Sequence, residues 1–392
     1  MTGAIARILP AVTAVQAVIA MGTFALSVLA PQLGVNVQTL GLLGSVLFGI
    51  GALSSLAAGW LIQRLGDLQL AAACMATVML AMLCLTGEAI GLGPVGWSLW
   101  PAVLLLGMAF GPETPASASA LARITPVARR PWIFSVRQTG NQIGAMSGSL
   151  VLPLLWFEHA AWPFALVAVL GLGVALWCMR LARRDMAEVA PAAGSATLGV
   201  SGLRDLMASP LLRLLTATML VYMSTQVCLN FFLMSHAVRH WQLPVSTAAG
   251  WVALMQATGL VGRLLWGQVA QRSSMSTVRL LGGLGLMMGG TGLLLFLWPH
   301  TPPAAALAVL LMAVGLSASG WNGVMVAEVA RIAGPSRAGA VTGAVLLFGY
   351  SGLALAPVGF AAVGTALGTG TAFAILLASA CMMGTCLLLR KP

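Results

Sequence analysis

The stretch 59-GWLIQR-64 and its partner 267-GQVAQR-272 lie 208 residues apart, and both end an apolar run. Glycine, glutamine and arginine occupy the same places in the two stretches. The same offset relates Gly107 to Gly315 and 122-ARI-124 to 330-ARI-332. Because two separate patches share one offset, the sequence predicts a duplicated structural unit.

The composition indicates a membrane protein. Of the 392 residues, 59% are hydrophobic and only 7% are charged, which is too little charge to cover the surface of a soluble protein. The net charge of +11 would indicate a nucleic-acid partner in a soluble domain. In this chain we interpret it as a sign of membrane orientation and expect no nucleic-acid partner.

Apolar runs long enough to cross a bilayer occur twelve times, since a span needs about 20 residues. The predicted spans are 8–30, 40–62, 68–87, 98–121, 132–157, 161–179, 211–234, 247–269, 278–298, 304–327, 338–362 and 371–389. The predicted fold is an all-α integral membrane protein with two pseudo-symmetric six-helix bundles. We expect an N-terminal bundle over residues 1–181, a flexible linker over 182–210 and a C-terminal bundle over 211–392.

Basic residues fall almost entirely on one side of this arrangement. With the N-terminus inside, 16 of the 19 basic residues lie on the cytoplasmic side and Arg239 alone lies outside. The positive-inside rule then places both termini in the cytoplasm. Arg137 and Arg263 are left within the membrane. The cytoplasmic residues are Arg7, Arg64, Arg123, Arg129, Arg130, Arg180, Arg183, Arg184, Arg204, Arg213, Arg272, Arg279, Arg331, Arg337, Arg390 and Lys391.

The twelve-span, duplicated plan resembles the major facilitator superfamily over essentially the whole chain. The segment 59-GWLIQRLGD-67 is similar to that family's signature loop after the second span. Gln63 replaces the expected acid, and Asp67 stands where the family has basic residues. The resemblance and the repeat imply a gating loop made by Gly59, Arg64, Gly66, Gly267 and Arg272.

A narrower resemblance concerns the eighth span. The segment 259-GLVGRLLWG-267 is similar to that of oxalate/formate exchangers and monocarboxylate transporters. In those families the arginine corresponding to Arg263 contacts the substrate carboxylate. This resemblance implies an anion site at Arg263.

The position of Arg263 supports two interpretations. It lies eight residues before Gln271, about 12 Å from the end of the span at 1.5 Å per residue. A charge at that depth is costly and persists where it faces a wet cavity or an opposite charge. The guanidinium would either bind an anion bidentately or serve as a structural gate bonded to carbonyls. Ser55 occupies the equivalent position of the first half, so the duplicated scaffold does not require an arginine here.

Glu113 and Arg137 are the other intramembrane charges, on successive spans. They would form an internal ion pair, or Glu113 would couple protons to transport. Desolvation favours the protonated acid and a nearby arginine opposes it, so the sequence does not decide between these alternatives. The prolines of 111-GPETP-115 predict a kinked or locally open helix at this point.

Polar side chains at four-residue spacing complete the candidate site. Tyr222 and Gln226 share a face of the seventh span, Asn141 follows Arg137 by four residues, and Asn322 lies in the tenth span. These groups would line a cavity or form hydrogen bonds between helices.

The sequence therefore predicts a secondary transporter that works by alternating access, with Arg263 and Arg137 as partners of a small organic carboxylate. Proton symport or exchange would drive it. We expect a monomer in the bilayer of a bacterial cytoplasmic membrane, with no enzyme activity, cofactor or metal. Two alternatives stay open: efflux of amphipathic drugs, and a non-transporting membrane sensor or scaffold.

Overall fold

A computed structural model describes residues 3–94, 96–126, 130–185, 200–273, 275–298, 300–334 and 338–390. Residues 186–199 of the predicted linker, together with Arg129, Arg337 and Lys391, lie outside the described residues.

The described residues form fourteen α-helices and no strand, which confirms the all-α prediction. The helices are α1 Gly3–Leu29, α2 Val37–Leu56, α3 Ala58–Leu65, α4 Asp67–Ala89, α5 Leu99–Ile124, α6 Arg130–Glu158, α7 Trp162–Asp185, α8 Val200–Ala208, α9 Pro210–Arg239, α10 Val245–Arg272, α11 Thr277–Phe296, α12 Ala304–Ala333, α13 Ala338–Leu367 and α14 Thr369–Leu389.

Ten of the described helices are long and apolar enough to cross a membrane. The two other long helices are α5 and α6, which contain the buried charges Glu113 and Arg137 and several further polar residues. With these two, the described chain has the twelve predicted spans. Helix α5 continues through both of its prolines. The second span is interrupted at Ala57, where α2 gives way to α3.

The linker region contains structure that the composition did not indicate. We expected a flexible segment over residues 182–210, but α7 continues to Asp185 and α8 forms over Val200–Ala208. The small residues of this region suggested flexibility. They are followed, however, by a short sequence, 200-VSGLRDLMA-208, whose apolar residues recur at helical spacing.

The chain divides into two compact units. The first comprises Met1–Val35 and Val46–Ser195, and the second comprises Asn36–Ser45 and Ala196–Pro392. In the first unit α1 packs on α6, and α4 packs on α5 and α7. The second unit repeats this pattern: α9 packs on α13, and α11 packs on α12 and α14. These three helix pairings are therefore the same in both units.

One contact shows the duplication at the level of single atoms. A methyl group on Gly107 would meet the carbonyl oxygen of Leu47, and one on Gly315 would meet the carbonyl oxygen of Met255. Both residues of the first contact lie 208 positions before those of the second. Glycine is needed at both places because two helix backbones approach too closely for a side chain.

Candidate functional site

Arg263 lies on the protein-facing side of α10. Seven residues separate it from the buried Gln256, which places the two side chains about 20° apart around the helix axis. Val261 and Leu265, which are 54% and 41% exposed, lie on the opposite side. The Nε of Arg263 is buried and has no hydrogen-bond partner in the described part of the structure. The Nε is therefore buried within the second unit, while the side chain as a whole is partly buried.

No described acidic side chain compensates this charge. The ion pairs of the described residues involve Arg123, Arg137 and Arg331, and none involves Arg263. A buried and unsatisfied N–H of a guanidinium is energetically unfavourable, because its lost hydration is not replaced. The site consequently has the charge and the free donor that an anion would satisfy.

Close packing of α10 on α12 fixes the position of Arg263. Gly262 lies directly against the backbone of Leu316, and Gly320 lies against the ring of Trp266. The indole Nε1 of Trp266 donates a hydrogen bond of 3.0 Å to the carbonyl oxygen of Leu316. These contacts flank Arg263 on both sides along the helix, so its backbone has little freedom to shift.

The internal repeat indicates that Ser319 lies near Arg263. In the first unit, Gly111 packs against the backbone of Gly51 and Ser55. At the offset of 208, Gly111 corresponds to Ser319 and Ser55 corresponds to Arg263. A hydroxyl group in the second unit thus takes the place of a glycine hydrogen in the first.

Neutral polar groups extend from this point across α9 and α12. The Asn322 Nδ2 donates to the Gln226 Oε1 at 3.0 Å, and the Gln226 Nε2 makes a longer contact of 3.5 Å with the Ser319 Oγ. One turn along α9, the Asn230 Oδ1 accepts a hydrogen bond of 2.9 Å from the Gln256 Nε2. Gln226 and Asn322 are only partly buried, so their amides remain available to a ligand.

Tyr222 points away from this network. Its side chain is fully buried, and its hydroxyl donates a hydrogen bond of 3.0 Å to the carbonyl oxygen of Leu281 on α11. Its ring lies edge-on to Trp321 at 5.5 Å. The hydroxyl already has a protein partner, and this geometry fits an interhelical hydrogen bond better than contact with a ligand.

In the first unit, Glu113 and Arg137 form a buried ion pair. The Arg137 Nη2 donates to the Glu113 Oε1 at 2.6 Å, and the two residues are 1% and 2% exposed. The hydroxyls of Ser117 and Thr114 also donate to the carboxylate, at 2.8 and 3.0 Å. The acid thus has three donors, while the Arg137 Nε is buried without a partner.

Asn141 lies one turn after Arg137 and is partly buried. Its Nδ2 donates to the Oε1 of the neighbouring Gln142 at 3.2 Å. On the same helix, Gln138 accepts a hydrogen bond of 2.9 Å from the Gln16 Nε2 of α1. Asn141 therefore belongs to the polar surface of α6 in the first unit.

The predicted gating residues lie around the ends of α3 and α10. Gly66 separates α3 from α4 with a φ of +86°, which a residue with a side chain rarely adopts. The Arg64 guanidinium lies 4.4 Å over the Trp60 ring. A methyl group on Gly59 or Gly267 would meet open space, and Arg272 is exposed at the end of α10. Neither glycine is therefore in close contact with another described helix.

Sequence reasoning missed an ion pair beside this loop. The Asp67 carboxylate at the start of α4 lies 3.1 Å from the Arg123 Nε near the end of α5. A buried acid in the first turn of a helix was the available signal, but its partner is 56 positions away in the sequence. Ser319 and Gln256 were also missed, although both lie at helical spacing from predicted site residues.

Comparisons with known proteins agree with this architecture. The family model described as Major Facilitator Superfamily matches residues 9–357. A search of curated protein sequences gives no match. A bacterial homolog of the human lysosomal transporter Spinster, in an inward-facing and unoccupied conformation, is 17% identical with a TM-score of 0.73. That match covers 99% of this chain and 95% of the other.

Two further solved structures share the fold. A peptide transporter POT is 14% identical with a TM-score of 0.77, over 97% of this chain and 93% of the other. The nucleoside transporter NupG is 15% identical with a TM-score of 0.76, over 98% of this chain and 99% of the other. At these identities the likeness shows the fold alone. Since the family model spans most of the sequence, the chain belongs to the Major Facilitator Superfamily of transporters.

Proposed function

We propose that this transporter carries a small organic anion, a carboxylate, by proton symport or exchange and alternating access. The observation that carries the proposal is the Arg263 guanidinium, which lies on the protein-facing side of α10 with a buried, unpartnered Nε and no described acidic partner. A carboxylate supplies both the opposite charge and two acceptors in the plane of the guanidinium.

Neighbouring amides would orient the bound anion. Gln226 and Asn322 already contact each other, and the Ser319 hydroxyl adjoins them. These groups would donate to the second carboxylate oxygen or to a hydroxyl of the substrate. They bear no charge, so they would provide selectivity by geometry and leave the electrostatic attraction to Arg263.

The first unit would supply the coupling to protons. Glu113 is buried and paired with Arg137, and protonation of the acid would remove the attraction that holds the pair together. Release of Arg137 would then give the substrate a second cationic partner or open a gate, with Asn141 one turn away. The gating loop at Gly59, Arg64, Gly66, Gly267 and Arg272 would limit the swing of the helices.

The charge distribution supports an orientation with both termini in the cytoplasm, because basic residues concentrate on that side of the predicted arrangement. We further propose that the chain is a monomer in a bacterial cytoplasmic membrane.

Counterflow in proteoliposomes tests the proposal. Vesicles loaded with an unlabelled organic acid should accumulate the same labelled acid, and screening short-chain carboxylates, amino acids and drug-like cations would identify the transported class. Arg263→Lys keeps the charge but loses the planar fork, so it should lower carboxylate counterflow at least tenfold. The matched control is Arg279→Lys at the exposed start of α11, which should transport normally.

Full carboxylate counterflow by Arg263→Lys would rule out a bidentate site. Transport of hydrophobic cations without any carboxylate would instead establish the efflux alternative. A chain that transports nothing, yet binds carboxylates with the same dependence on Arg263, would be a sensor.

A further inference from the structure

We infer that the anion site at Arg263 selects monovalent over divalent anions. The inference rests on the proposed function and adds the charge of the substrate to it. It follows from the charge balance of the buried groups in each unit.

Every buried acid of the described chain has an arginine of its own. In the first unit, Glu113 pairs with Arg137 at 2.6 Å and Asp67 pairs with Arg123 at 3.1 Å. In the second unit, Glu328 is 2% exposed and binds the Arg331 guanidinium through both of its oxygens, at 2.7 and 2.9 Å. Each pair is neutral as a whole, so none contributes a net charge to a ligand.

Arg263 remains as a single positive charge. It lies nine residues before the end of α10. Several other arginines of the long helices are instead exposed and lie within two turns of a helix end: Arg180, Arg183, Arg184, Arg213, Arg272 and Arg279. Its polar neighbours Gln226, Ser319 and Asn322 are neutral. As long as Arg137 stays paired with Glu113, the described part of the site therefore has a net charge of one.

A monovalent anion would make this site neutral. A divalent anion would leave one negative charge inside the protein with no partner, and a buried unpaired charge is strongly disfavoured. Discrimination should be large because the second charge would have to be neutralised by a proton or remain hydrated. We expect a monoanion to bind at least tenfold more tightly than a dianion of the same shape.

Matched pairs of probes test this prediction. Succinamate and succinate have nearly the same shape and differ by one charge. Phthalamate, the monoamide of phthalate, differs from phthalate in the same way. The measurement is inhibition of carboxylate counterflow by each probe at neutral pH. Acidification converts part of the succinate to its monoanion, so succinate should then inhibit more strongly while succinamate changes little.

A charge variant makes the test independent of probe shape. Gln226→Lys adds a second cation to the network and should move the preference toward succinate, while Gln226→Met, of similar size and without charge, should not. Equal or stronger inhibition by the dianions in the unaltered protein would overturn this inference and leave organic-anion transport standing. If no carboxylate of either charge inhibits or is transported, the proposed function fails and this inference fails with it.

Discussion

The two halves of the molecule share a scaffold and differ in how they treat charge. At the repeat offset of 208, Glu113 corresponds to Trp321, Arg137 to Val345 and Ser55 to Arg263. The first half contains a buried ion pair, and the second half has apolar side chains at the same two places. Conversely, the second half has a guanidinium where the first has a serine whose hydroxyl donates to the carbonyl of Ala52. The helix pairings persist in both halves, so these charges are additions to the scaffold.

The repeated arginines Arg123 and Arg331 show the same divergence. Arg123 pairs with Asp67 on another helix, whereas Arg331 pairs with Glu328 on its own helix. An arginine occupies equivalent positions in the two halves, but the acidic residue that pairs with it is not at an equivalent position. The difference teaches that sequence symmetry predicts helix positions and does not predict polar contacts.

The largest effect should come from breaking the buried ion pair of the first half. Arg137→Gln leaves the Glu113 carboxylate without its cation, and such a loss costs about 3–5 kcal/mol of stability. Thermal unfolding of the purified protein in detergent would show a strong decrease in the melting temperature. The double variant Arg137→Gln with Glu113→Gln restores neutrality and should recover most of it. If the double variant is no more stable than the single one, the pair does not stabilise the first half.

The same double variant separates coupling from transport. It lacks the proposed proton acceptor, so a pH gradient should no longer drive accumulation of substrate, while counterflow persists. Gradient-driven accumulation at the normal level would exclude Glu113 as the coupling group.

A smaller effect is expected from the glycines of α10. Gly262→Val places a branched side chain against the Leu316 backbone and should cost roughly 1–3 kcal/mol by overpacking. Gly267→Val, five residues further along, would meet open space and serves as the matched control. Melting temperatures of the two variants should differ clearly. Equal stability would mean that α10 and α12 do not depend on their close approach.

The second half should respond to loss of its charge in the opposite sense from the first. Arg263→Gln removes a buried donor that has no partner, so we expect the melting temperature to stay the same or rise, by an amount equivalent to about 1 kcal/mol. Carboxylate binding should nevertheless be lost. A large decrease in stability would show that Arg263 has a structural role, which is the interpretation that competes with an anion site.

The smallest effect should follow from Tyr222→Phe. This change removes one interhelical hydrogen bond to Leu281, worth roughly 0.6 kcal/mol in membrane proteins. The affinity for substrate should remain unchanged, as measured by the concentration dependence of counterflow. A weaker affinity with normal stability would return Tyr222 to the binding site.

The twelve spans and the duplicated plan could be predicted because the length of an apolar run and the repeat offset can both be read directly from the sequence. The polar stripe of α9 shows where such reasoning ends. Periodicity placed Tyr222 and Gln226 on one face, but a face about a third of the helix wide contacts two neighbours. The Tyr222 hydroxyl consequently donates to α11, while the Gln226 amide contacts α12. Four-residue spacing cannot distinguish these two directions.

The histidines illustrate the same difficulty for burial. None of the four histidines falls within a span predicted from the sequence, yet His236 is 1% exposed, and its Nδ1 lies 2.7 Å from the Thr369 Oγ1. Helix α9 continues for a further turn past the predicted end of its span, and the aromatic rings of Trp241, Phe296 and Phe373 surround the imidazole. Trp241 is a near neighbour in the sequence, but Phe296 and Phe373 come from distant parts of it, so the composition near His236 gave no sign of them.

The close packing of α10 on α12 has a consequence for the direction of transport. Because Gly262, Gly320 and Trp266 hold the two helices together, Arg263 and Asn322 would travel as one rigid body when the second unit tilts. The spacing of the groups that grip the anion would then be the same whichever side of the membrane the site faces. A carrier with equal affinity on its two faces has no intrinsic preference for import or export, so the gradients across the membrane would set the direction of net flux.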